Sequence, residues 1–278
     1  MVHYRCVAVD VDGTLLRSDH QLSPLVAATV RTLRARGIHI CVATGKLFAS
    51  IGDLVTTLGL TGPQITGNGG VIVEATTGVV LTCETLTEAE LALIRVTLTT
   101  LAPSVPWAWY TADAIYTDAA HGPLDTILGQ YHEPPLRHVA RLDATLPAPI
   151  KILLHADHAT LDALRLATQD ALGERVRAIR TTPDFLEFMP TQTHKGAALA
   201  HVMGMGGYRA DEIIAIGDGE NDLSMIALAG MGIAMGNAIP AVRAAAQMTT
   251  ATNDADGVAV ALRHLFAEEF LEIERVGN

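Results

Sequence analysis

Cysteine is scarce in this 278-residue chain: Cys6, Cys41 and Cys83 are the only three, and no two form a C-x-x-C pair. A disulfide framework is therefore excluded, and thiols in or near apolar strands fit a reduced, cytoplasmic protein. Positive charge is also short. Lys and Arg number 19 against 30 Asp and Glu, for a formal net charge of −11 with no long Lys/Arg run. Non-specific binding to nucleic acid or to an anionic membrane needs a basic patch, so neither partner is expected. No apolar run is long enough to span a bilayer, and no leader-like segment of charge followed by apolar residues is seen, so a soluble protein is expected. Repeats and low-complexity tracts are absent too. What is present is apolar material, 49% of residues, enough for the core of one large domain or two unequal ones.

The chain starts on a short buried-strand pattern, Cys6 to Val9, that runs into Asp10-Val11-Asp12-Gly13-Thr14. A helix from Pro24 to Arg36 follows, with Ser23 as N-cap and Gly37 as stop, then a strand from Ile38 to Ala43 ending at Thr44-Gly45-Lys46, then a helix from Leu47 to Leu58. This order implies parallel strands with right-handed crossovers, whose carboxyl ends line one ligand-binding edge. A third strand, Gln64 to Asn68, leads into a hairpin with arms Val71 to Glu74 and Val79 to Thr82. From about Glu84 the pattern changes to mixed helices and strands carrying both tryptophans, including a helix over 123–131 and strands Trp107 to Tyr110, Ile150 to His155, Val176 to Arg180 and Phe185 to Met189. It returns near Pro190 to the first pattern: a helix from His194, a strand ending at Gly217-Asp218-Gly219-Glu220-Asn221-Asp222, further short elements, and a last helix over 257–270. The expected fold is α/β, a Rossmann-like doubly wound parallel sheet formed by residues 1–83 and 191–278, with an α+β cap domain, residues 84–190, inserted between them.

Two acid clusters thus stand at strand ends. Strand side chains alternate faces, so Asp10 and Asp12 point to one side if the chain stays extended, and Gly13 is free to turn the backbone away. Two carboxylates sharing a crevice need either a cation between them or a proton on one. Asp218 and Asp222 can join Asp10 and Asp12 as oxygen ligands of a hard divalent cation such as Mg²⁺, with Asp222 acting through water or by orienting the others. Thr44 and the Gly45 amide open a helix and form a phosphate cradle, although Thr44 also suits a simple N-cap. Lys195 is the missing cation of an anion site, or a surface lysine. The H-x-x-H pair His155 and His158 is read as no metal site. Trp107, Trp109 and Tyr110 alternate on one strand and are read as packing, with a sugar-stacking face as the alternative.

Together these residues resemble the haloacid dehalogenase superfamily of phosphatases, in its Cof-type sugar-phosphatase branch. Asp10 to Leu16 is similar to the first motif of that family, Ala43-Thr44-Gly45 to its second, Lys195-Gly196 to its third and Gly217 to Asp222 to its fourth; Asn68-Gly69, Gly236-Asn237-Ala238 and the segment from Asn253 to Ala259 are similar to further branch segments. The resemblance implies a phosphomonoesterase of small phosphorylated metabolites, sugar phosphates foremost. In it, Asp10 forms an aspartyl phosphate and Asp12 serves as general acid and base. Thr44, Gly45, Lys195 and Asn221 hold the phosphoryl group; Asp10, Asp12 (through its carbonyl), Asp218 and Asp222 serve Mg²⁺; Gly13, Lys46 and Asn68 shape the pocket. A sugar phosphomutase or phosphotransferase, and an idle phosphosugar-binding protein, are the alternatives; a monomer or small homo-oligomer is expected. Two positions depart from the branch: Lys46 replaces the usual Arg, losing its planar fork, and Gly70 replaces the commoner Ala.

Overall fold

The computed structural model describes residues 4–118, 124–268 and 270. Residue 123 of the expected helix 123–131, residue 269 of the last expected helix, and the remaining residues of the expected domains (1–3, 119–122 and 271–278) lie outside the described residues.

The central strand β1 (Cys6–Val9) is buried along its whole length. It lies between β2 (His39–Val42) and β12 (Ile213–Gly217), while β13 (Met231–Ala234) and β14 (Met248–Thr249) extend the sheet in the order β14-β13-β12-β1-β2. Every pairing in it is parallel. Continuous apolar runs such as CVAV and IIAIG suit strands covered on both faces, since no polar face is left for solvent. Helix α1 (Pro24–Ala35) starts where Ser23 accepts the Val26 N–H and packs against α9 (Gly257–Leu265). Helix α6 (Lys195–Gly206), capped by the His194 ring accepting the Ala197 N–H, packs against α7 (Leu223–Leu228), which meets α8 (Pro240–Ala245).

Two expected elements are redrawn. The helix expected from Leu47 begins as a 3₁₀ turn over Phe48–Ile51 and becomes α2 only over Gly52–Leu58. The strand β3 (Pro63–Thr66) is joined to the parallel sheet by one backbone bridge, Ala43 to Ile65, and by the Gln64 side chain on β2, and otherwise pairs antiparallel with β4 (Val71–Glu74), which pairs with β5 (Val80–Cys83). Asn68, in the left-handed region at φ 55°, reverses the chain after β3, so the backbone bonds of this strand go to its own hairpin.

The segment between β5 and α6 forms a six-stranded sheet. Its strands are β6 (Trp107–Tyr110), β7 (Ile115–Asp118), β8 (Arg137–Val139), β9 (Lys151–His155), β10 (Val176–Thr182) and β11 (Phe185–Pro190), in the order β10-β11-β9-β6-β7-β8. All pairs are antiparallel except β7 with β8. Alternation divides its two faces cleanly. Trp107, Trp109, Ile152, Leu154, Leu186 and Phe188 cluster with α3 (Glu88–Leu101) and α5 (His158–Leu172). Ala108, Tyr110, Leu153 and Phe185 turn the other way and pack with Leu128 of α4 (Leu124–Gln130) and with Leu47, Val71 and Val73 of the other two layers. The tryptophans are thus packing residues, while Tyr110 faces the parallel sheet. Among the described residues no helix is long and apolar enough to cross a membrane.

Candidate active site

The carboxyl ends of β1 and β12 and the first residue of α6 meet at one buried point. Lys195 has no exposed surface, and its Nζ donates to Asp10 Oδ1 at 2.6 Å and to Asp222 Oδ1 at 2.7 Å. Asp222 Oδ2 accepts the N–H groups of Asp218 and Gly219, both at 2.9 Å, so its carboxylate fixes the loop that carries Asp218. This loop requires Gly217: a Cβ there would stand 2.4 Å from the Asp222 carboxyl carbon. Asp218 Oδ1 accepts the Thr14 hydroxyl at 2.8 Å. Gly13 lies against the same carboxylate at φ +79°, and a Cβ there would stand 2.6 Å from Asp218 Oδ2. The turn after β1 is therefore shaped by what β12 presents to it.

Carboxylate oxygens of Asp10, Asp218 and Asp222 lie within 4.8 Å of one another. Burial pushes Asp10 well above the usual carboxylate range, with Asp222 and Asp218 adding to the shift and Lys195 opposing it. Asp218 is pushed up to about 6 by burial and then by Asp222, against the hydrogen bond from Thr14. Burial opposes the charge of Lys195, but Asp10 and Asp222 outweigh it and hold the ammonium above its ordinary range. One lysine thus leaves the carboxylates under-compensated. Their hard, crowded oxygen donors fit a small divalent cation of the Mg²⁺ kind, whose charge would relieve that repulsion.

Asp12 turns its carboxylate away from this trio, toward Lys46 Nζ at 2.7 Å and His20 Nδ1 at 3.5 Å. Both aspartates still face one cavity of about 130 Å³, whose walls include Asp10, Asp12, Thr44, Gly45, Lys46, Asp218 and Asn221. Thr44 Oγ1 accepts the Lys46 N–H, and its carbonyl accepts the Asn68 N–H. Asn221 donates to Asn68 Oδ1 at 2.9 Å and makes no bond to Lys195, so its link runs to the loop after β3. Gly13, Asn68, Lys195 and Asp222 stand behind the cavity wall, holding the residues that form it. The predicted residues are therefore all brought together, in two layers.

Residues of the six-stranded sheet complete the cavity and were not found from sequence. Lys151 Nζ donates to Glu187 Oε1 at 2.7 Å and to the Gly45 carbonyl at 2.9 Å, and lies 4.5 Å from the centre of the Tyr110 ring. Glu187 Oε2 accepts Asn68 Nδ2 at 2.6 Å. Their signal is nonetheless present: each is a lone charge inside an apolar strand, KILLH and FLEFMP, which demands a buried partner. His20 and Glu133 also line the cavity, from loops with no periodicity to betray them, as does Tyr131, which the structure places just past the end of α4 and not in the helix expected over 123–131.

Acids and a buried lysine gathered at the carboxyl ends of a parallel sheet stand where α/β enzymes bind their ligands. Comparison with known proteins is specific. The sequence model of the haloacid dehalogenase-like hydrolases matches residues 7–262. An HMP-PP phosphatase from an Enterobacter species is 33% identical over 240 residues, covering 85% of each chain. The 5-amino-6-(5-phospho-D-ribitylamino)uracil phosphatase of Bacillus subtilis is 27% identical over 277 residues, covering 94% of this chain and 97% of its own. The crystal structure of a haloacid dehalogenase-like hydrolase from Bacteroides thetaiotaomicron superposes with a TM-score of 0.81 at 30% identity, covering 95% of this chain and 100% of that one. The chain belongs to the haloacid dehalogenase-like hydrolase family, and it is an enzyme of the phosphatase type.

Proposed function

We propose that this enzyme is a Mg²⁺-dependent phosphomonoester hydrolase of small phosphorylated metabolites, sugar phosphates among them, in which residues 84–190 cap a site built by residues 1–83 and 191–278. The observation that carries the reading is the fully buried Lys195 bridging Asp10 and Asp222 beside Asp218, a constellation with under-compensated negative charge that presents Asp10 and Asp218 to a small cavity. The relatives named as phosphatases of small phosphorylated compounds support the substrate class. The acidic balance of the chain and the small volume of the cavity support a small metabolite rather than nucleic acid or a membrane.

The Asp10 carboxylate attacks phosphorus while the bond to the leaving alcohol breaks, and Asp12 gives that alcohol its proton. The product is an aspartyl phosphate. Asp12, now a carboxylate, takes a proton from water as the water oxygen attacks phosphorus, releasing inorganic phosphate and restoring Asp10. Lys46 fixes Asp12 on the leaving-group side of the cavity. Thr44, the Gly45 amide and the Lys195 charge balance the transferring oxygens. When bound by Asp10, Asp218 and the Asp12 carbonyl, with Asp222 behind them, Mg²⁺ supplies the positive charge that lets an anionic nucleophile approach a dianion. The test is inorganic phosphate release from sugar phosphates, nucleotides and an aryl phosphate, with Mg²⁺ or EDTA. Release that needs the metal and disappears in Asp10→Asn supports the reading, and no release from a folded, Mg²⁺-loaded enzyme refutes it.

A further inference from the structure

The cavity continues past Asp12 to a wall that the hydrolytic chemistry does not use. There Tyr110 is fully buried, yet its hydroxyl has no hydrogen-bond partner among the described residues. A buried hydroxyl left unpaired is costly, and neighbouring groups ordinarily satisfy it. Glu133 shares this wall, and its Oε2 is taken by the Ser50 hydroxyl at 2.5 Å. Burial raises the Glu133 carboxyl, and it outweighs the lowering effects of Lys151, the Ser50 hydrogen bond, Lys46 and the Leu47 N–H. Tyr110, Glu133 and Glu187 line this one cavity, and the hydroxyl is raised by burial and then by the charges of the two glutamates.

The charges of that space can be paired off. Lys46 is bonded to Asp12 and Lys151 to Glu187, leaving Glu133 with a hydroxyl as its hydrogen-bonding side-chain partner. Three carboxylates face two lysines. A second phosphate or a carboxylate on the ligand would meet net negative charge, whereas a hydroxyl can give its proton to Glu133 and receive one from Tyr110.

We propose that Tyr110 and Glu133 form a leaving-group subsite that takes a neutral, hydroxyl-bearing alcohol, a sugar or polyol, and discriminates against leaving groups with a second anion. The inference rests on the phosphatase reading above and adds the residues that select its substrate.

The test compares kcat/KM for an aldohexose monophosphate, a hexose bisphosphate and p-nitrophenyl phosphate in wild type, Tyr110→Phe and Glu133→Gln. Both substitutions are close in shape, and the amide oxygen of the second keeps an acceptor for Ser50. Wild type prefers the monophosphate to both others. In each variant the ratio of monophosphate to aryl phosphate falls about tenfold, the worth of one hydrogen bond in an enclosed site. Glu133→Gln also narrows the preference over the bisphosphate. A structural role predicts something else: loss of thermal stability with no change in these ratios. Tyr110→Phe should melt at or above wild type, because it removes an unpaired buried group. Ratios unmoved in both variants, or a wild type that prefers the bisphosphate or the aryl substrate, overturn the subsite. Phosphate release from the aryl substrate reads the phosphatase chemistry separately. If it is absent, that reading falls, and calorimetric binding of the hexose monophosphate to Asp10→Asn decides the subsite: weakening about tenfold by Tyr110→Phe supports it, and unchanged affinity refutes it.

Discussion

Lys195 and Asp10 touch each other, yet replacing them should move stability in opposite directions. Among the described residues Lys195 is the one cation bonded to Asp10 and Asp222, at 2.6 and 2.7 Å, in a site with no solvent exposure of the lysine. Lys195→Met leaves crowded carboxylates without it, and stranding a buried charge in this way costs roughly 3–5 kcal/mol. At about 2–4 °C per kcal/mol for a chain of this class, the melting temperature should drop by roughly 6–20 °C. Asp10→Asn does the reverse. It removes one of the repelling carboxylates, one already pushed upward by burial, while leaving an oxygen for Lys195, so the metal-free protein should be as stable as wild type or more so. Both variants should lose phosphate release. Urea and thermal unfolding in EDTA, at a fixed neutral pH, measure the pair without a metal to substitute for the lysine. A Lys195→Met loss under about 1 kcal/mol, or an Asp10→Asn loss as large as that of Lys195→Met, would refute the electrostatic account of the site.

Three further outcomes follow from single contacts. Gly13→Ala puts a Cβ 2.6 Å from Asp218 Oδ2 at a φ of +79°, so it should cost about 1–3 kcal/mol and weaken Mg²⁺ binding, read by calorimetric titration; an unchanged affinity would mean that Asp218 is not fixed by this turn. Burial lowers the His39 imidazole, which stacks on Tyr208. Folding therefore favours the neutral ring: its contribution is complete above the ordinary value of 6.5 and is lost as pH falls through it toward the lowered one, so wild type should lose more stability than His39→Phe on acidification from about pH 8 to 5.5, and parallel losses would contradict the assignment. Arg165→Ala breaks the forked pair with Glu220 between α5 and the loop before α7, but that pair is partly exposed, so urea titration should show a loss under about 1 kcal/mol.

The strands and helices that present the site were readable because their patterns are local. CVAV before two aspartates, or IIAIG before Gly217 and Asp218, declares a covered strand and its end within a few residues. Glu88–Leu101 announces its own start through the capping box of Thr87 and Glu90. The three-residue β8 and two-residue β14 were illegible, being too short for any period to register. The second layer of the site was partly hidden for another reason. That Asn221 bonds Asn68, and that Asn68 in turn bonds Glu187, depends on two loops and a strand distant in sequence arriving at one place. Lys151 and Glu187 advertised a need for partners but not which ones, because an isolated charge in a strand fixes a demand and leaves the supplier to the tertiary fold.

The placement of Lys151 and Glu187 also sets the terms on which the two layers can separate. Both charges belong to the six-stranded sheet, on neighbouring strands, so they travel as a neutral couple. What this couple sends across to the loops beneath is a pair of bonds: lysine to the Gly45 carbonyl and carboxylate to the Asn68 amide. Water can replace each of those in place, with no ion drawn out of its pairing. The seam at this couple, over the buried aspartates, is therefore a wettable one. At this couple the two layers are joined by bonds that hydration can replace, while the ion pair that also joins them, Arg165 with Glu220, is partly exposed and lies outside the lining of the cavity.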